Sequence, residues 1–189
     1  TLDITMTNQA GCASCSDNTY DNKSECESYG GDYDPETEEY DAVWTFDANI
    51  DEATCETMNG DYFNGGVKGF QFILQGLTIT KVSGGTSAAY LDLINFSQPQ
   101  GIDGMMVLGS SFSEAVIPIG AAVLLEVEFS DPGDGICFVE SGCVVGGEIE
   151  YNVDSCSGVI AQNTLSDKNG QEINVDWGGC YCDEDDLAD

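Results

Sequence analysis

The chain has 189 residues, the size of one domain with a small appendage, and is long enough to bury an apolar core. It carries 35 acidic residues against four lysines, with neither arginine nor histidine, so its net charge is −31. Such a charge repels nucleic acid and anionic membranes, and we expect no nucleic-acid partner. No apolar run approaches the roughly 20 residues of a membrane helix, so we also expect no membrane insertion.

The first eight residues alternate between apolar and polar side chains. Leu2, Ile4 and Met6 fall on one face of an extended chain, while aspartate and threonine fall on the other. This period of two predicts a half-buried β-strand. We interpret it as an assembly strand, which pairs within its own chain or is donated to another copy.

Residues 11–66 are polar, acidic and rich in glycine and cysteine, and they contain an internal repeat. The segment ECESYGGDY at residues 25–33 matches TCETMNGDY at residues 54–62, at a spacing of 29 residues. With so few aliphatic side chains, this stretch cannot form a conventional apolar core. We predict a small duplicated, cysteine-rich insertion.

From residue 67 onward, short apolar runs alternate with turn residues, which is typical of a β-sandwich. Residues 167–170 form a strong hairpin-turn signal, and residues 86–96 indicate either one short helix or an irregular strand. The predicted strands lie at residues 70–74, 77–79, 106–108, 117–119, 123–129, 149–153 and 173–177. The fold class is therefore an all-β antiparallel sandwich, of residues 1–10 and 67–182, with the insertion at 11–66 and an acidic tail at 183–189.

Several of these runs resemble cohesin-like β-sandwich modules of bacterial extracellular proteins, of the Ig-like jelly-roll type. They are VKGFQFIL at residues 67–74, LTI at 77–79, VLG at 107–109 and IPIGA at 117–121. The resemblance implies that Phe70 and Phe72 face the core and that the cysteine-rich stretch interrupts the module. Members of this family serve as scaffolding, adhesion or glycan-associated modules; we do not transfer dockerin binding.

The nine cysteines are not arranged as paired CxxC ligand sets, which favours a disulfide framework in an oxidising compartment. We expect an extracellular product, secreted or on the cell surface, whose export signal has been removed. Bridges should form mostly within each half of the chain, and because nine is odd, one thiol is free or bonded to another chain. The cysteines are Cys12, Cys15, Cys26, Cys55, Cys137, Cys143, Cys156, Cys180 and Cys182.

The absence of histidine excludes hydrolase chemistry based on a Cys-His or Ser-His pair. Among so many acidic residues, some pair of carboxylates will lie at the separation of a glycosidase pair by chance, so such a pair does not indicate catalysis. We therefore expect no enzymatic activity and no catalytic residues.

Calcium is the one cofactor that we predict. Asp47, Asn49, Asp51 and Glu52 place oxygen ligands close together, as a hard cation requires, but without the glycine and distal glutamate of an EF-hand; a diffusely neutralised acidic loop is the alternative.

Asn22 and Asn95 each begin an Asn-Xaa-Ser acceptor sequence, so both are candidate glycosylation sites. Aromatic residues are also concentrated in the insertion, where they form either a sugar- or protein-binding surface or a miniature core.

The first functional hypothesis is a self-associating structural subunit of an extracellular fibril or surface coat. The alternative is a monomeric glycan- or protein-binding module of a larger secreted complex.

Overall fold

A computed structural model describes residues 1–21, 23–34, 39–133, 135–139, 142–145, 148–150, 159–161, 163–173 and 175–181. Within them the chain forms seventeen β-strands and three short α-helices. The helices are α1 (Lys23–Tyr29), α2 (Glu52–Thr57) and α3 (Gly85–Tyr90). The strands are β1 (Leu2–Asn8), β2 (Gly11–Cys15), β3 (Tyr33–Asp34), β4 (Glu39–Tyr40), β5 (Trp44–Asp47), β6 (Asp61–Phe63), β7 (Val67–Gln75), β8 (Thr78–Ser83), β9 (Leu93–Ser97), β10 (Met105–Ser110), β11 (Gly120–Ser130), β12 (Cys137–Phe138), β13 (Gly142–Val145), β14 (Glu148–Glu150), β15 (Val159–Ala161), β16 (Thr164–Asp167) and β17 (Glu172–Ile173).

The chain divides into two compact units. The sandwich unit combines Thr1–Thr7 with Val67–Asp189, and the cysteine-rich unit is Asn8–Gly66. The predicted insertion at 11–66 thus starts three residues after the cysteine-rich unit does and ends at the same residue. The predicted acidic tail at 183–189 lies outside the described residues.

The sandwich unit is built mainly of β-strands with antiparallel pairing, as the sequence predicts, and it also contains the short helix α3. One sheet has the strand order β1-β11-β8 and a larger one has the order β17-β16-β7-β10-β9, with β12 also paired to β7. A third, small sheet has the order β14-β13-β15. Val107 of β10 lies opposite Phe72 of β7, and both are fully buried. On β11, Leu125 and Val127 are also fully buried, so the long central strands carry the core.

Strand β7 is buried on both of its faces, which a simple alternation does not predict. Phe70 and Phe72 are buried on one face, in accordance with the expected packing, and their rings are stacked with centroids 5.5 Å apart. On the opposite face Ile73 packs in a second apolar cluster with Ile102 and Val139. The uninterrupted apolar run at residues 72–74 of β7 therefore reflects two covered faces.

A buried amide joins β7 to the segment that follows β12. The Asn163 side chain accepts a hydrogen bond from the Ile73 amide at 2.8 Å and donates one to the Val139 carbonyl at 2.6 Å. The Val139 amide in turn donates to the Ile73 carbonyl at 2.9 Å. These groups are shielded from water, and the Asn163 side chain supplies the acceptor for the Ile73 amide and the donor for the Val139 carbonyl.

The C-terminal part of the described chain is fixed by one disulfide and by aromatic packing. Cys137 is bonded to Cys180, and Ile136 forms a two-hydrogen-bond bridge with Tyr181. The Trp177 ring packs on Phe138, with centroids 5.3 Å apart. This segment is held by one disulfide, one backbone bridge and aromatic packing, and not by a further strand of the sheet.

Two of the predicted strands are wrong in extent. Residues 117–119 form no strand, because Pro118 has no amide to donate, and only Ile117 makes an isolated bridge with Val67. The predicted strand at 173–177 stops at Ile173.

The predicted turn at 167–170 is confirmed, with Gly170 at φ 83°. Residues 86–96, for which the sequence indicates either a helix or a strand, form both: most of α3 and then most of β9. Residues 151–153 lie outside the described residues.

The cysteine-rich unit has a β-sheet with the order β5-β2-β6, covered by helices that are tethered by disulfides. Cys12 of β2 is bonded to Cys55 of α2, and Cys15 of β2 is bonded to Cys26 of α1. Residues three apart in a strand point to opposite faces, so α2 and α1 are anchored to opposite faces of the sheet. All four sulfur-bearing side chains are buried.

The two copies of the repeat have the same local structure. Each begins in a helix that carries the bonded cysteine and then turns into a strand, α1 into β3 and α2 into β6. After α2, the Asn59 amide donates to Glu56 and the Gly60 amide donates to Cys55, with Asn59 at φ 53°. This is a Schellman ending, in which a left-handed residue satisfies the last helical carbonyls.

We expect Asn163→Ala to lower the free energy of unfolding by about 2 to 3 kcal/mol, because it leaves a buried amide and a buried carbonyl without their side-chain partner. Urea denaturation followed by far-UV circular dichroism measures this change. The control is Gln100→Ala, at an exposed turn position, which should stay within about 0.5 kcal/mol of the parent. Equal effects of the two substitutions would contradict the role of Asn163.

We expect the two bridges of the cysteine-rich unit to contribute unequally. Their sequence separations are 43 residues for Cys12–Cys55 and 11 for Cys15–Cys26. Chain entropy then predicts losses of about 4 and about 3 kcal/mol on removing each pair by double alanine substitution. Amide hydrogen exchange of β2 compares the two variants. Faster exchange in the variant lacking Cys15–Cys26 would reverse this ranking.

Candidate functional sites

The residues predicted to bind calcium form a turn and a helix cap. Asp47 accepts hydrogen bonds from the Asn49 amide at 2.8 Å and from its side chain at 2.9 Å. Asp51 is the N-cap of α2 and accepts from the Thr54 amide at 2.9 Å. Glu52 is exposed in the first turn of that helix. The alternating oxygens of this segment therefore satisfy backbone donors.

These hydrogen bonds lower the pKa values of both aspartates. The backbone and side-chain donors of Asn49 hold the pKa of Asp47 below its ordinary value of 3.8. The side chain and amide of Thr54 hold the pKa of Asp51 below 3.8 in the same way. Among the described residues, no group of three or more acidic or cysteine side chains is arranged to hold a metal ion. Calcium at this segment stays a prediction.

One of the two predicted glycosylation sites lies on a sheet edge. Asn95 is exposed in β9, the last strand of the larger sheet, and its side-chain oxygen accepts from the Phe96 amide at 2.9 Å. Ser97, which completes the acceptor sequence, is exposed as well. Asn22 lies outside the described residues.

The predicted assembly strand is present as β1, at the edge of the β1-β11-β8 sheet. Ile4 is buried, Leu2 and Met6 are half-buried, and the residues between them are exposed. In this structure β1 pairs with β11 of its own chain.

The three described disulfides each lie within one unit, as expected for bridges that form within each half of the chain. Such bridges are typical of an oxidising environment. The side chains of Cys143, Cys156 and Cys182 lie outside the described part of the structure.

The aromatic residues of the cysteine-rich unit divide between the two predicted roles. Tyr20 and Trp44 pack against Cys15, Cys26 and Ala42, which makes them part of a miniature core. By contrast, Tyr29 is 62% exposed and Phe46 is 42% exposed.

A further aromatic residue, Phe112 in the sandwich unit, is exposed, and no pattern in the sequence predicts its exposure. It is 76% exposed, although its backbone is firmly held. The Asp92 carboxylate accepts hydrogen bonds from the Phe112 amide at 2.7 Å and from the Ser113 amide at 3.3 Å. An aspartate twenty residues away in sequence thus fixes this loop, and only tertiary structure shows the pairing.

No helix within the described residues is long and apolar enough to cross a membrane. Comparisons with protein-family models, with curated proteins and with solved structures find no match to this chain. The cohesin-like resemblance therefore stays a prediction, and functional inference depends on the geometry of the chain itself.

We expect the Thr54 amide signal to report the titration of Asp51. Because the folded pKa of Asp51 is depressed, its carboxylate stabilises α2 above the unfolded pKa, and this stabilisation is lost as the pH falls through the folded pKa. In NMR spectra the Thr54 amide should shift with a midpoint below pH 3.8. Asp51→Asn keeps an acceptor and should remove the titration, whereas Asp51→Ala should also fray α2. A midpoint at or above 3.8 would be inconsistent with the cap.

Proposed function

We propose that this chain is a non-enzymatic, secreted or surface-bound structural subunit, which self-associates through the edges of its β-sandwich into an extracellular fibril or coat. The observation that carries the proposal is the edge of β1, which no strand among the described residues covers. An exposed sheet edge presents unpaired amides and carbonyls, and it is a template for another strand unless the protein protects it.

As far as the structure describes them, the other three edges of the two main sheets are more restricted than the edge of β1. Edge strand β8 has the exposed Lys81 and an irregular register opposite Glu128. Edge strand β17 is only two residues long, and edge strand β9 carries the exposed Asn95. Lysine, bulges and short strands are the devices by which proteins prevent edge pairing. We propose that an N-linked glycan on Asn95 serves the same purpose on β9.

Strand β1 has none of these features. Its seven residues include no proline and no lysine, and Asp3 is its one charged residue. Among the described residues, β11 is its one strand neighbour. Its outward-facing side chains include Thr5 and Thr7, which are exposed, β-branched and uncharged. This edge combines strand propensity with little charge.

Addition to the free edge of β1 fits the structure better than strand donation. The end of β1 is held by the Asn8 side chain, which is buried and donates a hydrogen bond to the Gly65 carbonyl. Donating β1 to another copy would require its pairing with β11 to break, while Asn8 stays fixed in its own copy. We therefore propose that each copy keeps its own β1 and pairs it with β8, the opposite edge of the same sheet, in a second copy, because pairing β1 with β1 would close a dimer and only a head-to-tail contact can propagate.

We expect the double variant Thr5→Asp, Thr7→Asp to prevent assembly, because it adds two charges to an edge whose pairing would bury them beside like charges. Sedimentation velocity and negative-stain microscopy at physiological salt, with and without calcium, measure the assembly. The matched control is Gln98→Asp, Gln100→Asp, which adds the same charge at exposed positions after β9.

The parent and the control should form filaments or sheets, while the β1 variant should stay monomeric. Assembly of the β1 variant at the parent level would contradict the use of this edge. A parent chain that stays monomeric in all of these conditions would overturn the structural function itself.

A further inference from the structure

The cysteine-rich unit contains a shallow groove of about 480 Å³ beside the C-terminal end of α2. It lies against β2 and β5, where Ser14 is opposite Thr45. Residues two apart in a strand point to the same face, so Ser14 shares the face of Cys12, to which α2 is bonded through Cys55. No lining residue is charged, and five of the seven carry a hydroxyl or an amide. The lining residues are Ser14, Cys15, Ser16, Asn18, Thr45, Thr57 and Met58.

The walls of the groove are held by covalent and polar constraints. Its floor strand β2 is bonded to both helices through Cys12 and Cys15. The Asn59 side chain, at the left-handed end of α2, donates to the Asn18 carbonyl at 2.9 Å and so ties the loop after β2 to the helix. A groove fixed in this way binds without a large loss of conformational entropy.

The duplication provides an internal comparison. On the face covered by α1, the space beside the sheet is filled by Tyr20, Ala42 and Trp44. On the face covered by α2, the space beside the sheet is lined mainly by small polar side chains and is open to solvent. The repeat position of Tyr29 in the first copy is Met58 in the second. The two copies have therefore diverged, one toward a packed core and the other toward a polar recess.

We propose that this groove binds a neutral saccharide. Hydroxyl and amide groups both donate and accept hydrogen bonds, as sugar hydroxyls do. An acidic ligand would meet no cation in the lining and would be repelled by the net charge of −31, and a cation would meet no carboxylate there. The lining is more polar than apolar, with Met58 as its long apolar side chain, and so does not suit an apolar ligand.

The test is an NMR titration of the isotopically labelled full chain, carrying the Thr5→Asp and Thr7→Asp substitutions that keep it monomeric, with cellohexaose, hexa-N-acetylchitohexaose and maltohexaose at millimolar concentration. We expect saturable shifts of the Asn18 and Thr45 amides with at least one of these neutral oligosaccharides. Thr45→Val removes one lining hydroxyl while keeping a β-branched side chain, and should weaken binding about fivefold. The matched control is Thr78→Val, at an exposed edge-strand threonine of the sandwich unit, which should bind as the parent does.

Asn59→Gly is a second variant, which tolerates the positive φ but loses the hydrogen bond to Asn18. It should weaken binding without changing the shifts of β5, and this outcome identifies Asn59 as a positioning residue. The proposal is overturned if no oligosaccharide shifts the groove signals. It is also overturned if Thr45→Val binds as tightly as the parent, or if the shifts map to exposed aromatics outside the groove. Each of these outcomes is independent of whether the chain assembles through β1.

Discussion

The shortage of cations constrains every other feature of this protein. Four lysines cannot pair 35 carboxylates, and the described residues contain two ion pairs, both on the surface. Buried polar side chains in the described chain are all neutral, because an unpaired buried carboxylate is too costly. Carboxylates instead lie at turns and helix starts, where backbone amides are their partners, as at Asp17, Asp51 and Asp92. Acidic side chains here organise loops and contribute little to the core.

Cohesion must therefore come from apolar burial and from covalent bonds, and the two units use them in different proportions. The sandwich unit buries long apolar strands such as β7 and β11, which is the ordinary way to stabilise a sheet. The cysteine-rich unit has too few aliphatic residues for this, and two disulfides from the single strand β2 hold both of its helices instead. Bridges that restrict the unfolded chain replace a core that the composition cannot supply.

The same reasoning explains what the sequence could predict. Alternation in residues 1–8 and the apolar run at 67–74 predicted β1 and β7, since burial on one face leaves a period of two. The cover on the second face of β7 was not predictable, because Ile73, Val139 and Asn163 are far apart in sequence. The helices α1 and α2 were missed, since their helicity depends on bonded cysteines and end caps and shows no apolar stripe. The candidate calcium residues were found as oxygen-rich positions, but only the structure shows that Asp47 and Asp51 are bound to backbone donors.

For the assembly proposed above, charge also decides which surfaces can bring copies together. Two molecules that each carry −31 repel one another, and salt screens this repulsion only beyond about 8 Å at physiological ionic strength. A contact that brings strands to hydrogen-bonding distance must therefore lie where the local charge is low. The edge of β1 has one carboxylate in seven residues, whereas the exposed face of neighbouring β11 presents Glu126 and Glu128. Repulsion between those faces disfavours stacking of sandwiches face to face and leaves growth along the sheet, edge to edge, as the geometry with the least electrostatic cost.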